Sequence, residues 1–244
     1  MKKLRATMAF VLASVLIMTN MVFASDRSEE TQVQECIRMI EAELNENNTN
    51  VTSELTKMIS YYKGLLEQEG LDSAERDKIN ALISTLEKQL QEYDNYKSGV
   101  VTRGLPNPVY SPAVSAVITW FGSKGYLLAA ELLTHAVDND LEDSTYYPNN
   151  GDRVTLSPVF KKIKSMYNTG GQAEFPDSNV PVEKDLYYAI HGFTWVKRNG
   201  VVTIKDRYDF KPGDYEGIAG AAVNTMVLAQ QNGVIVPFQV RIVK

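Results

Sequence analysis

Between Ser28 and Lys97 the chain has no proline and only two glycines, Gly64 and Gly70, and it is rich in Glu, Lys, Gln and Leu. So long a stretch without a breaker, in residues that favour helix, restricts this region to helices and short turns. Apolar spacing divides it into three. The first segment carries Val33, Cys36, Ile37, Ile40 and Leu44 and runs out in the Asn-rich stretch from Asn45 to Asn50. The second follows Thr52 or Ser53, with Leu55, Met58, Ile59, Tyr62, Leu65 and Leu66, and stops at Gly70. The third starts after Asp72, whose partner Glu75 makes a capping-box pattern, and carries Ile79, Leu82, Ile83, Leu86, Leu90 and Tyr93. Steps of three and four give each helix one apolar stripe. Short connections favour antiparallel neighbours, so a helical hairpin or three-helix bundle is expected over residues 25–97. Each stripe must be covered by another helix, by the rest of the chain, or by a second copy through self-association.

Beyond Lys97 the pattern changes. Residues 98–112, with Gly99, Gly104, Pro106, Pro108 and Pro112, read as a linker. Ala113 to Phe121 and Tyr126 to Val137 read as two apolar helices, Asp138 to Arg153 as a polar loop, and a short helix begins near Pro158. Residues 168–182 read as loop. Leu186 to Val196 is aromatic and β-branched and reads as a strand. Asn199-Gly200 is a hairpin turn signal, followed by a strand from Val201 to Phe210. A helix rich in small residues, Gly217 to Gln231, and a closing strand, Val234 to Val243, complete residues 113–244. The expected fold class is α+β: an N-terminal helical unit followed by an α+β domain with a small antiparallel sheet.

The first two dozen residues have the form of a secretory signal: Lys2, Lys3 and Arg5, an apolar run from Met8, and Val22-Phe23-Ala24 before Ser25. Cleavage after Ala24 is expected. Thr19 and Asn20 interrupt a run already short for a membrane span. The mature chain is therefore expected outside the cytosol, extracellular or wall-associated, with no stable span. Removing three of 25 basic residues leaves 22 against 30 acidic ones, a net charge of −8, which argues against a nucleic-acid partner. The single cysteine, Cys36, cannot form an internal disulfide, and its place on an apolar stripe suits a small buried hydrophobe.

The densest chemistry lies in Lys205-Asp206-Arg207-Tyr208-Asp209-Phe210. On a strand, Asp206, Tyr208 and Phe210 share one face and Arg207 and Asp209 the other. Asp206, Tyr208 and Asp209 are candidate catalytic residues, and the two carboxylates a candidate site for a divalent metal. The alternative is a charged strand end, with Asp209 capping the turn. His191 is a candidate general base, expected on a strand adjoining that of Asp206, or else a histidine simply bonded to a neighbour. His135, near Asp138, Asp140 and Asp143, suits either a metal or the dipole at a helix C-terminus. The run lacks the glycine and terminal Glu of an EF-hand loop. There is no Gly-rich phosphate loop, no H-E-x-x-H, no G-x-S-x-G and no C-x-x-C.

The block from Asp185 to Phe210 (DLYYAIHGF…TIKDRYDF), with its continuation GDYEGIAGAAVNTMVLAQQNGVIVPF, resembles uncharacterised secreted proteins of Gram-positive gut bacteria over about Ser111 to the end. That resemblance implies no activity. More distantly, Asp206-Arg207-Tyr208-Asp209 is similar to the D-x-Y-D core of colicin M-type bacteriocins, which are metal-dependent phosphodiesterases acting on the undecaprenyl-linked peptidoglycan precursor. That similarity implies Asp206, Tyr208 and Asp209 as site residues. It departs where the family has a His-Arg pair six and seven residues after the second Asp. Here those positions are Tyr215 and Glu216, so diphosphate stabilisation would fall to Arg207, Lys205 or His191.

Two functions are expected from these features. One is a secreted binding or interaction protein that recognises a protein or cell-envelope partner. The other is a secreted hydrolase or toxin-like effector using Asp206, Tyr208, Asp209 and His191, with a divalent metal as its possible cofactor.

Overall fold

The computed structural model describes residues 29–99, 109–212 and 216–244. The expected signal segment and most of the expected linker lie outside the described residues. The three N-terminal helices are α1 (Glu29–Glu46), α2 (Val51–Leu66) and α3 (Ser73–Lys97). The stripes anticipated on α1 and α2 are buried from Val33 to Leu44 and from Leu55 to Tyr62. Asp72 caps α3 as its sequence indicates: its side chain accepts from the Glu75 amide at 2.8 Å, and Glu75 accepts from the Asp72 amide at 3.1 Å. Helix α2 starts earlier than expected. Its cap is Asn50, which accepts from the Ser53 amide at 2.9 Å while the Ser53 hydroxyl accepts from the Asn50 amide.

These stripes are covered within the chain. They pack on α4 (Ser111–Ser123), on α5 (Leu127–Asp138) and on α8 (Gly217–Gln231). Every residue of α4 from Ser111 to Phe121 is buried, the expected state of a helix that is apolar all round. Gly122 permits the closest approach, since a Cβ there would lie 2.6 Å from the Met58 sulfur. One contiguous core runs from Val33 to Ile242 and joins the helices to the sheet. The linker boundary is corrected at its end, because Ser111 and Pro112 begin α4. Among the described residues no helix is long and apolar enough to cross a membrane.

The fold class is α+β, but the sheet is mixed rather than purely antiparallel. Its order is β1-β5-β4-β3-β2, with β1 (Thr145–Tyr146), β2 (Gly170–Glu174), β3 (Gly192–Arg198), β4 (Val201–Tyr208) and β5 (Phe238–Val243). The β1–β5 pair is parallel and the other three are antiparallel. Asn199 and Gly200, at φ 51° and 79°, turn β3 into β4, as a two-residue hairpin requires.

Three further expectations are corrected. The polar loop 138–153 contains β1 and the start of a 3₁₀ helix (Asn149–Leu156). The 3₁₀ helix is held by buried Glu131, which accepts from the amides and side chains of Asn149 and Asn150 and from the Tyr146 hydroxyl. The short helix near Pro158 is α6 (Pro158–Ser165), but the following loop contains β2. The strand expected from Leu186 is instead the last part of α7 (Pro181–Ile190), with β3 beginning only at Gly192. Asp185, Leu186, Ala189 and Ile190 form its buried face, a helical spacing obscured by Tyr187 and Tyr188. Asp185 then anchors α7: it accepts from the Leu128 and Ala129 amides at the start of α5 and pairs with Arg153.

Candidate functional site

Strand β4 alternates as its sequence suggests. Val202, Ile204 and Tyr208 are buried towards the helices, and Asp206 shares their parity, so its carboxyl enters the strand's inward face. The register pairs Asp206 with Val240 on one side, and its continuation places Phe193 on the other. A carboxyl among such neighbours loses hydration, and burial pushes its pKa from 3.8 up to about 7. The Arg207 amide donates to it at 2.8 Å, pulling the other way. The nearby Asp209 carboxylate adds to the rise, and Lys211 opposes it.

The opposite parity belongs to Arg207 and Asp209, whose side chains meet at 3.7 Å. Arg207 also pairs with Glu142 at 2.7 Å and with Asp143. Lys211 reaches Asp209 at 3.3 Å. The strand end is fixed to α8 by Gln230, which accepts from the Phe210 amide at 2.9 Å and donates to its carbonyl at 3.3 Å.

His191 is not on a strand. It is the C-terminal cap of α7, one residue before β3. Its Nδ1 lies 3.2 Å from the Phe175 carbonyl, and its ring meets the Tyr187 ring edge-on at 4.8 Å. A carbonyl oxygen only accepts, so Nδ1 is the donor in that bond.

These parts converge. A recess of about 300 Å³ is lined by Tyr187, Tyr188 and His191 from the end of α7, by the run from Asp206 to Lys211, and by Val223 of α8. It thus gathers all four candidate site residues, and its volume is at the lower end for small-molecule sites. Tyr208 plays a different part from the other three. It is 5% exposed, stacked near Phe238 and Phe210, and its hydroxyl has no hydrogen-bond partner among the described residues. Burial raises its pKa above the ordinary tyrosine range, so it keeps its proton and forms a wall of the recess rather than acting as a base. Lys211 and the Phe175 carbonyl were not anticipated. Lys211 directly follows the acidic segment, whereas no sequence signal places Phe175 against His191.

For a cation, Asp206 and Asp209 are the two carboxylates the recess supplies. Among the described residues no group of three or more His, Cys, Asp or Glu side chains is placed to share a metal ion. His135 serves packing: its ring stacks on Tyr146 at 3.8 Å and meets Phe238 edge-on, and burial lowers its pKa to about 4. Asp143, one of its expected co-ligands, instead pairs with Arg207. Cys36 is fully buried, and desolvation pushes its thiol up to about 11, which leaves it unreactive near neutral pH. No protein-family model matches the chain, and neither the curated proteins nor the solved structures contain a significant match.

Proposed function

We propose that this chain is a secreted binding protein that takes a small polar ligand into the recess between the ends of α7 and β4. The observation that carries this reading is the meeting in one recess of His191, from the end of α7, with Asp206, Asp209 and Lys211, from the end of β4 and the residues after it. It is supported by Asp206, a carboxyl kept in an apolar sheet face where it opposes folding at neutral pH. The groups offer an anion, a cation, an imidazole and a carboxyl that titrates near neutrality, a set suited to hydroxyl- and amine-bearing ligands. An NMR titration of the ¹⁵N-labelled chain with amino acids, sugars and sugar phosphates tests it. Saturable shifts at the His191, Arg207 and Lys211 amides, lost in Asp209→Ala, are expected. Shifts confined to other parts of the chain would refute it.

A second reading, a secreted hydrolase, is favoured by the meeting of a histidine with two carboxyl groups in one recess. His191, held by Nδ1 against the Phe175 carbonyl, is the candidate base of that recess, and Asp206 and Asp209 are its carboxylates. Phosphodiesters of envelope precursors are the substrate class to try first, given the D-x-Y-D similarity, and Asp206 and Asp209 would hold the divalent ion. This reading requires that His191→Ala and Asp206→Asn each abolish turnover while the melting transition persists. Calorimetric titration with magnesium, calcium and zinc, beside the Asp206→Asn/Asp209→Asn double variant, tests the metal.

A further inference from the structure

The other face of the same strands has its own geometry. Residues of outward parity form two rungs across the sheet. One runs Gln239, Arg207, Gly192, Glu174, and the next runs Arg241, Lys205, Thr194, Gln172. Gly192 leaves a gap in the middle of the first rung, since a Cβ there would meet nothing within 4 Å. Around that gap lies the larger recess, about 650 Å³, lined by Gln172, Glu174, Thr194, Lys205, Arg207 and Gln239, among others.

The second rung holds a feature that costs stability. Lys205 and Arg241 are direct cross-strand partners on the antiparallel β4–β5 pair, and like charges in that position repel. Arg207 is neutralised by Glu142, Asp143 and Asp209. Lys205 and Arg241, in contrast, make no ion pair with any described residue. The Arg241 Nε is buried without a hydrogen-bond partner, and its guanidinium is held 5.9 Å over the half-exposed Tyr147 ring. Two adjacent cations without an ion pair, in a chain with five more acidic than basic residues, favour an anion beside them. Across the gap, Glu174, Gln172, Thr194 and Gln239 offer carboxylate, amide and hydroxyl groups, which pair with hydroxyls. Glu174 also opposes a continuous polyanion such as nucleic acid.

We propose that this outward groove binds an acidic saccharide, with its anionic group at Lys205, where the cross-strand neighbour Arg241 adjoins the groove without lining it, and its hydroxyls over Gly192 towards Gln172, Thr194 and Glu174. The groove has room for one or two sugar rings. The proposal does not rest on the reading of the α7–β4 recess. The two recesses adjoin at Gly192, Asp206 and Arg207, so the decisive substitution is placed at Lys205, which lines only the groove.

Isothermal titration of the purified chain with a galacturonate disaccharide, a sulfated disaccharide, a neutral disaccharide and inorganic sulfate tests it, with Lys205→Glu and His191→Ala as variants. Saturable binding of at least one acidic disaccharide is expected, at least tenfold tighter than the neutral one. The two acidic probes distinguish carboxylated from sulfated ligands. Lys205→Glu is expected to lose that binding yet melt roughly 1–2 °C higher, because it converts a repulsive cross-strand pair into an attractive one. His191→Ala, which lies in the α7–β4 recess and not in the groove, should bind the saccharide within twofold of the parent. Binding lost in His191→Ala but retained in Lys205→Glu would move the ligand to the α7–β4 recess and overturn the proposal. Sulfate binding as tightly as the saccharides, or no acidic probe binding at all, would also overturn it.

Discussion

Replacing Asp206 with asparagine isolates the cost of keeping a carboxyl on the inward face of β4. Asparagine has nearly the same shape and still accepts from the Arg207 amide, but it carries no charge to desolvate. The folded carboxyl has a pKa of about 7 against an ordinary 3.8, so the native state binds the proton more tightly than the unfolded chain. Below pH 3.8 both states are protonated and the charge costs nothing. As pH rises from 3.8 to 7 the unfolded chain ionises first, stability falls, and above pH 7 the loss is constant. A tenfold gap in proton affinity is worth ~1.4 kcal/mol, so roughly three such steps set a ceiling of ~4 kcal/mol. Asp206 borders a recess open to water, and that screening reduces the expected gain to about 1–2 kcal/mol. For a chain of this size this is a rise in Tm of roughly 3–6 °C at pH 8, vanishing near pH 4. Melting curves followed by circular dichroism at pH 4, 6 and 8 measure it. A variant less stable than the parent at pH 8, or a gain equal at all three values, would refute the placement of this carboxyl.

Three further outcomes follow from other buried polar groups. Glu131→Ala should cost about 3 kcal/mol in urea denaturation, because it leaves Tyr146, Asn149 and Asn150 without their shared acceptor. Arg153→Met leaves Asp185 buried and unpaired; a loss of about 3–5 kcal/mol is expected, with altered His191 chemical shifts because α7 carries both residues. His135 has its pKa lowered to about 4 from 6.5, so its contribution to stability is complete above pH 6.5 and is lost as pH falls towards 4. His135→Phe should therefore flatten acid destabilisation across that window by about 1–2 kcal/mol, and an unchanged pH profile would count against the burial of this ring.

Some of this molecule is written in local sequence. The proline-free start, its apolar stripes and the Asp72–Glu75 box specify three helices because helical periodicity and capping act within a few residues. Asn199-Gly200 specifies a hairpin for the same reason: two consecutive positive φ angles favour those residue types. Strand parity also placed Asp206 with Tyr208, and Arg207 with Asp209, before any packing was known. Long-range contacts decided the rest. The Leu186–Ile190 run carries side chains suited to a strand, and it is helical because Asp185 caps α5 and pairs with Arg153 from a buried face. That choice moves His191 from a strand to a helix end and into the recess. Gly170 to Glu174 has no apolar alternation and becomes a strand through its backbone pairing with β3. Sequence spacing names Asp206 as a carboxylate, but its proton affinity is set by Phe193, Val240 and Asp209, which only the folded sheet brings around it. Local propensity is a property of neighbours along the chain, whereas desolvation and charge pairing depend on neighbours in space, and those are fixed only when the sheet and helices close on one another.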